Sequence, residues 1–191
     1  MPIAQTLRAE LPVASRTQRS TVRRATGADA DALSNFATRT FIETYADYPD
    51  PANLMGYALE AFAPVQQSQE LADPRATTLL AFRDDALCGF ARICPGDAPA
   101  CVRAGEAIEL QRLYVDRRWH GAGVGQELLA QAHEIASHAG GDALWLKVWE
   151  RNERAIAFYR KSGFVDAGHT DFFVRSDRLT DRVLVMNLPP S

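Results

Sequence analysis

Three glycines alternate at positions 121, 123 and 125, inside the run Arg118-Trp-His-Gly-Ala-Gly-Val-Gly-Gln126. An apolar stretch ending at Val115 precedes them, and a helical apolar period starts at Val124. Glycine lets a backbone turn sharply and leaves no Cβ in the way of a ligand. The first N–H groups of a helix have no intrahelical partner, and the helix dipole there favours negative charge. A strand, a glycine turn and a helix start therefore make an anion cradle suited to a pyrophosphate. Spacing excludes the two commonest nucleotide loops. A Walker A loop needs Gly-Lys followed by Ser or Thr, and this loop holds no lysine. A G-x-G-x-x-G fingerprint would need glycine where Gln126 or Leu128 stands.

The surrounding pattern supplies the elements that must position this loop. Val22-Arg-Arg reads as a short strand, and Thr26-Gly-Ala-Asp29 as a capping box before a helix over residues 28–46. A second helix opens at Asp50-Pro51 and closes at Pro64, and a short helical segment follows over 66–72. The period then changes. Strands over 77–82 and 86–93 form a hairpin about Arg83-Asp-Asp85, residues 94–105 are a loop, and the next strand covers 108–115. After the glycine loop come a helix over 124–139, a buried strand over 143–148, a helix over 155–162, and strands over 164–174 and 182–188. Early hairpins and a central parallel βαβ unit predict a mixed α/β sandwich. We expect one domain over residues 20–190 after an N-terminal arm over 1–19.

Two motifs resemble the GNAT superfamily of acetyltransferases. Its signature Q/R-x-x-G-x-G/A, followed by two leucines, lies over His120-Gly-Ala-Gly123-Val-Gly125-Gln-Glu-Leu128-Leu129. His120 stands where glutamine or arginine is usual, and Arg118 is nearby. The stretch Asn152-Glu-Arg-Ala-Ile-Ala-Phe158-Tyr159-Arg-Lys-Ser-Gly163-Phe164 is close to the family's N-x-x-A-x-x-F-Y-x-x-x-G-F. The resemblance covers residues 20–188 in order of elements. It implies an α/β fold with a mixed, mostly antiparallel central sheet, a splayed central strand pair and flanking helices. It also implies an acetyl-CoA-dependent N-acetyltransferase, with acetyl-CoA as co-substrate bound at Arg118, His120, Gly121, Ala122, Gly123, Val124, Gly125 and Gln126. By the same resemblance the amides of Leu113 and Val115 bind the pantetheine arm and Asn152 contacts the coenzyme. Lys161 either pairs with a coenzyme phosphate or stays solvated.

Transfer to an amine needs a neutral nucleophile, a polarised thioester carbonyl and a proton for the departing thiolate. An alkyl ammonium titrates at about 10.4, so near neutrality only about one molecule in a thousand is free amine. A base raises that supply. Many members of the family carry a glutamate on the strand before the loop, which points to Glu109; others use water alone. Tyr159 matches the tyrosine that lies near the thioester sulfur and acts as general acid in proteins similar to this one. Strict alternation groups Glu109, Gln111, Leu113 and Val115 on one face, and the bulge that the family resemblance implies would shift that parity.

In the superfamily the segment after the first strand shapes the acceptor side, which here includes Phe41, Glu43 and Tyr45. The segment resembles the PaiA-type bacterial branch, whose acceptors include spermidine and spermine, with Glu43, Glu60 or Glu70 as cation contacts. A peptide amine, an aminoglycoside-like amine and a non-catalytic acyl-CoA sensor are the alternatives. The chain has 191 residues and a formal charge of -3, which gives no footprint for nucleic acid or for an anionic membrane. Cys88, Cys94 and Cys101 show no CxxC spacing, and His133 and His138 are too far apart in a helix to share a metal. We therefore expect a small-molecule amine partner, no nucleic acid, no membrane, no metal and a cytoplasmic location, with a homodimer as the superfamily's habit.

Overall fold

The computed structural model describes residues 20–189, so the expected arm over 1–19 and residue 190 lie outside the described residues. The strands are β1 (Thr21–Arg24), β2 (Thr77–Arg83), β3 (Ala86–Pro95), β4 (Ala107–Val115), β5 (Ala143–Trp149), β6 (Val165–Val174) and β7 (Asp177–Asn187). They form one sheet in the order β1-β2-β3-β4-β5-β7-β6. Every neighbouring pair is antiparallel except β4 and β5, which are parallel. The helices are α1 (Ala30–Thr44), α2 (Pro51–Ala61), α3 (Pro64–Ala72), α4 (Val124–His138) and α5 (Glu153–Lys161). No helix among the described residues is long and apolar enough to cross a membrane.

Apolar periodicity decides which sheet face each helix covers. Leu33, Phe36, Ala37 and Phe41 of α1 pack with Leu54 and Ala58 of α2 against Leu80 and Phe90. On the other face, Val124, Leu128, Ala132 and Ala136 of α4 join Ile156 and Tyr159 of α5 over Leu144, Leu146 and Leu184. Strand β5 is therefore covered on both sides, and Lys147 is its one exposed residue.

Two irregularities open the middle of the sheet. Pairing between β4 and β5 covers only Ala107–Glu109 against Ala143–Trp145, after which no strand among the described residues pairs with that edge of β4. On the other edge the register runs Arg92↔Arg112 and then Ile93↔Leu110, so Gln111 is an extra residue in β4. The bulge resets the alternation. Leu110, Leu113 and Val115 all join the α4 side, while Tyr114 joins the α1 side. Glu109 is thereby separated from Leu113 and Val115, with which strict alternation grouped it.

Three boundaries differ from expectation for local reasons. Pro64 closes no helix; it is the first residue of α3, a position that needs no amide hydrogen. Helix α5 starts at Glu153 because the Asn152 side chain accepts the Ala155 N–H at 3.1 Å. Strand β7 starts at Asp177, and its first half is polar but fully paired with β6.

Candidate active site

Where β4 and β5 part, the structure holds a cleft of about 840 Å³ bounded by α1, the start of α4 and α5. The glycine loop forms one end of it. Gly121 and Gly123 have φ of 77° and 91°, in the left-handed region where glycine is at ease. A Cβ added at either would meet nothing within 4 Å, so the backbone there borders open space. No group among the described residues accepts the amide hydrogens of Gly123, Val124, Gly125 or Gln126. Arg117, Arg154 and Lys161 also line the cleft, and among the described residues none of them has an acidic partner. Free amides and unpaired cations on one wall fit the anionic pyrophosphate of coenzyme A.

Not every residue expected in the cradle points into it. The Ala122 amide is used by the Trp119 carbonyl at 3.1 Å, and the Val124 side chain is fully buried in the α4-side core. Arg118 is turned away as well. Its guanidinium holds Asp116 at 2.8 and 3.0 Å, and Asp116 also takes Arg39 at 2.8 Å. These contacts, the Arg118 hydrogen bonds first, hold the Asp116 carboxyl far below the usual carboxylate range. In this structure the Arg118 guanidinium is thus held by Asp116 and not by the glycine loop. His120 lines the cleft and its Nε2 lies 2.9 Å from the Val115 carbonyl, which can only accept, so Nε2 carries the proton. Burial, followed by the nearby Arg154 charge, pushes the imidazole below its ordinary value, so at neutral pH it is the uncharged donor.

Leu113, Val115, Gly121, Gly123, Gly125, Gln126, Asn152 and Lys161 line the cleft. Tyr159 lies in it too, packed edge-on against Phe158 and Phe164. Burial pushes its phenol well above the ordinary value, so the hydroxyl keeps its proton across the physiological range. No group among the described residues bonds that hydroxyl.

The acceptor side is only partly as expected. Glu43 and Tyr45 line the cleft, but Phe41 is a core residue between Tyr45, Tyr57 and Phe62. Glu109 is buried beside Trp145 and Gly96 and does not line the cleft. It lies in the segment of β4 still paired with β5, opposite Trp145, and meets the cleft wall through Lys147, whose Nζ is 3.4 Å from Oε1. Sequence reasoning missed Arg154, Lys147 and Trp149, which line the cleft; Arg154 and Trp149 sat beside recognised elements. It also passed over Asp181, which does not line the cleft but faces Trp149 across the ladder in the polar half of β7, where no apolar pattern marks a strand.

These features define a class of protein. Residues 31–164 match the acetyltransferase (GNAT) family, and the chain belongs to that family. It is 29% identical over 160 residues to an uncharacterized N-acetyltransferase of Mycobacterium tuberculosis, covering 84% of this chain and 98% of that relative. It is 33% identical over 100 residues to the IAA acetyltransferase of Azospirillum brasilense, covering 52% of this chain and 61% of that protein. In structure it is similar to the PaiA N-acetyltransferase of Thermoplasma acidophilum, solved in complex with coenzyme A. The TM-score is 0.71 at 22% identity, over 89% of this chain and 99% of that one. A ribosomal-protein-alanine N-acetyltransferase of Brucella melitensis gives 0.62 at 23% identity, over 88% and 99%. At those identities the structures speak for the fold. The protein is an acetyl-CoA-dependent N-acetyltransferase.

Proposed function

We propose that the protein moves the acetyl group of acetyl-CoA to a small primary amine by direct attack while both are bound. The observation that carries this reading is the convergence of free loop amides, unpaired cations and the Tyr159 hydroxyl on one cleft. Acetyl-CoA supplies an acyl group activated as a thioester. Gly123, Val124, Gly125 and Gln126 offer their amides to its pyrophosphate, and Arg117, Arg154 and Lys161 add charge. The unpaired edge of β4 at Leu113 and Val115 gives backbone partners for the pantetheine arm and for the thioester oxygen.

As the amine's N–C bond forms and the C–S bond breaks, the amine must lose a proton and the sulfur must gain one. Tyr159, held protonated by burial, is the donor facing that exchange. Glu109 acts one residue removed: it holds Lys147 at the cleft wall and meets no substrate. The carboxylates first considered as polyamine contacts each face an arginine already. Glu43 pairs with Arg39 at 3.2 Å, Glu60 with Arg175, and Glu70 with Arg112 at 2.5 Å. Their charges are largely compensated, so one ammonium is a better fit than several.

Release of free coenzyme A from acetyl-CoA, measured against a panel of alkylamines, polyamines and a peptide N-terminus, tests the reading. Amine-dependent release well above the no-acceptor background is expected. Tight acetyl-CoA binding with no stimulation by any amine would instead describe a sensor.

A further inference from the structure

Next to Trp149, at the acceptor side of the cleft, lies a buried carboxylate, Asp181, that forms no ion pair among the described residues. Asp181 of β7 stands directly opposite Trp149 of β5 in an antiparallel pair, so the two side chains share a sheet face. The Trp149 ring stacks on Tyr45, the residue that follows α1, at 4.8 Å, and both residues line the cleft. Tyr45, Tyr57 of α2 and Tyr114 of β4 all feel the Asp181 charge. Asp181 is 5% exposed, and its Oδ1 has no hydrogen-bond partner among the described residues. A buried carboxylate without a partner is costly and calls for an explanation.

Fold stability does not supply one. No lysine or arginine forms an ion pair with Asp181 among the described residues. Lys147 is near enough to favour its charge, but that ammonium is held by Glu109. Glu150 opposes the charge, the three tyrosines are neutral, and across the ladder on β6 stands Thr170. Burial is the largest influence and raises the carboxyl to about 6. Stacked aromatic rings beside one acid are a chemistry that recognises an alkyl ammonium, through ring faces and charge together.

We propose that Asp181, which does not itself line the cleft but stands beside Trp149 of its wall, receives past the Tyr45 and Trp149 rings the ammonium of an alkylamine acceptor and removes its proton before attack. The inference rests on the proposed transfer to an amine and adds its base and its acceptor class. The ammonium gives one proton to the Asp181 carboxylate, leaving a neutral amine. That amine forms the N–C bond as the C–S bond breaks, and its second proton is made good on sulfur through Tyr159. Asp181 returns its own proton to water when the amide leaves.

The test compares wild type with Asp181→Asn, using propylamine, putrescine, tyramine and hydroxylamine as acceptors, with acetyl-CoA affinity measured by calorimetry. Wild-type kcat/KM with the best alkylamine should fall below about pH 6, where the carboxylate is protonated. Asp181→Asn should lose about 100-fold with that alkylamine and lack this acidic limb. It should lose far less with hydroxylamine, which arrives uncharged, and should bind acetyl-CoA as wild type does. Equal losses with both kinds of acceptor, or an unchanged acidic limb, would overturn the proposal. So would a wild type that binds acetyl-CoA and acetylates none of the alkylamines. Failure of wild type to bind acetyl-CoA at all would instead strike the proposed function. If Asp181→Asn does not fold, the wild-type profile alone decides, because a rate flat through pH 6 contradicts the proposal.

Discussion

The His120 imidazole donates its Nε2 hydrogen to the Val115 carbonyl at 2.9 Å, fastening the glycine loop to the end of β4. This bond joins the Asp116 cap and the Arg83 hydrogen bond to the Ala122 carbonyl in setting the loop relative to the strand edge. His120→Ala should weaken acetyl-CoA binding by about three- to ten-fold, the value of one such bond. His120→Gln keeps a donor and should stay closer to wild type. Calorimetric titration checks both, and equal affinities for all three proteins would remove His120 from the cradle.

Tyr159→Phe removes a hydroxyl and leaves the packing against Phe158 and Phe164 in place. Turnover should drop by about 100-fold with acetyl-CoA affinity nearly unchanged. An unaltered kcat would mean that the sulfur takes its proton from water.

Arg118 and the cradle are separable. Its guanidinium is largely solvent-exposed and bound to Asp116, which keeps Arg39 when Arg118 is lost. Arg118→Ala should therefore change stability by less than about 1 kcal/mol and leave acetyl-CoA affinity within about two-fold. A tenfold loss of affinity would show that the side chain swings to the coenzyme.

The unpartnered carboxylate also predicts a stability effect with a definite sign. The Asp181 carboxyl is raised to about 6 in the folded protein, against 3.8 for the ordinary group. Below pH 3.8 it is protonated in both states and costs nothing; as pH rises through 6 the folded state must ionise a buried group and loses stability. The penalty above pH 6 is of the order of 2–3 kcal/mol. Asp181→Asn should therefore raise Tm more at neutral pH than near pH 4, while it lowers activity. A Tm difference that does not vary with pH would show that the charge is not strained.

Much of the coenzyme side was legible because its signals are local. Alternating glycines, an apolar strand before them and a helical period after them fall within twenty residues of one another. Asn152 and Tyr159 likewise sit within one capped helix. The acceptor side depends on pairing between distant segments, which a linear pattern does not carry. Gln111 is a bulge only because β3 resumes register at Leu110, and Glu109 lies outside the cleft where β5 still pairs with that end of β4. Asp181 is buried only because β5, α1 and α2 close over a polar strand segment. Arg118 stands as near the loop in sequence as His120 does, and its contact with Asp116 is a side-chain pairing that the linear pattern does not carry.

Titration of acetyl-CoA into wild type and Gly123→Trp tests the central claim most directly, since the added indole would fill the space that borders the free amides. Because Gly123 is left-handed, circular dichroism must first show that the variant is folded. The account predicts saturable one-site binding to wild type and none to the folded variant; equal binding to both would contradict it.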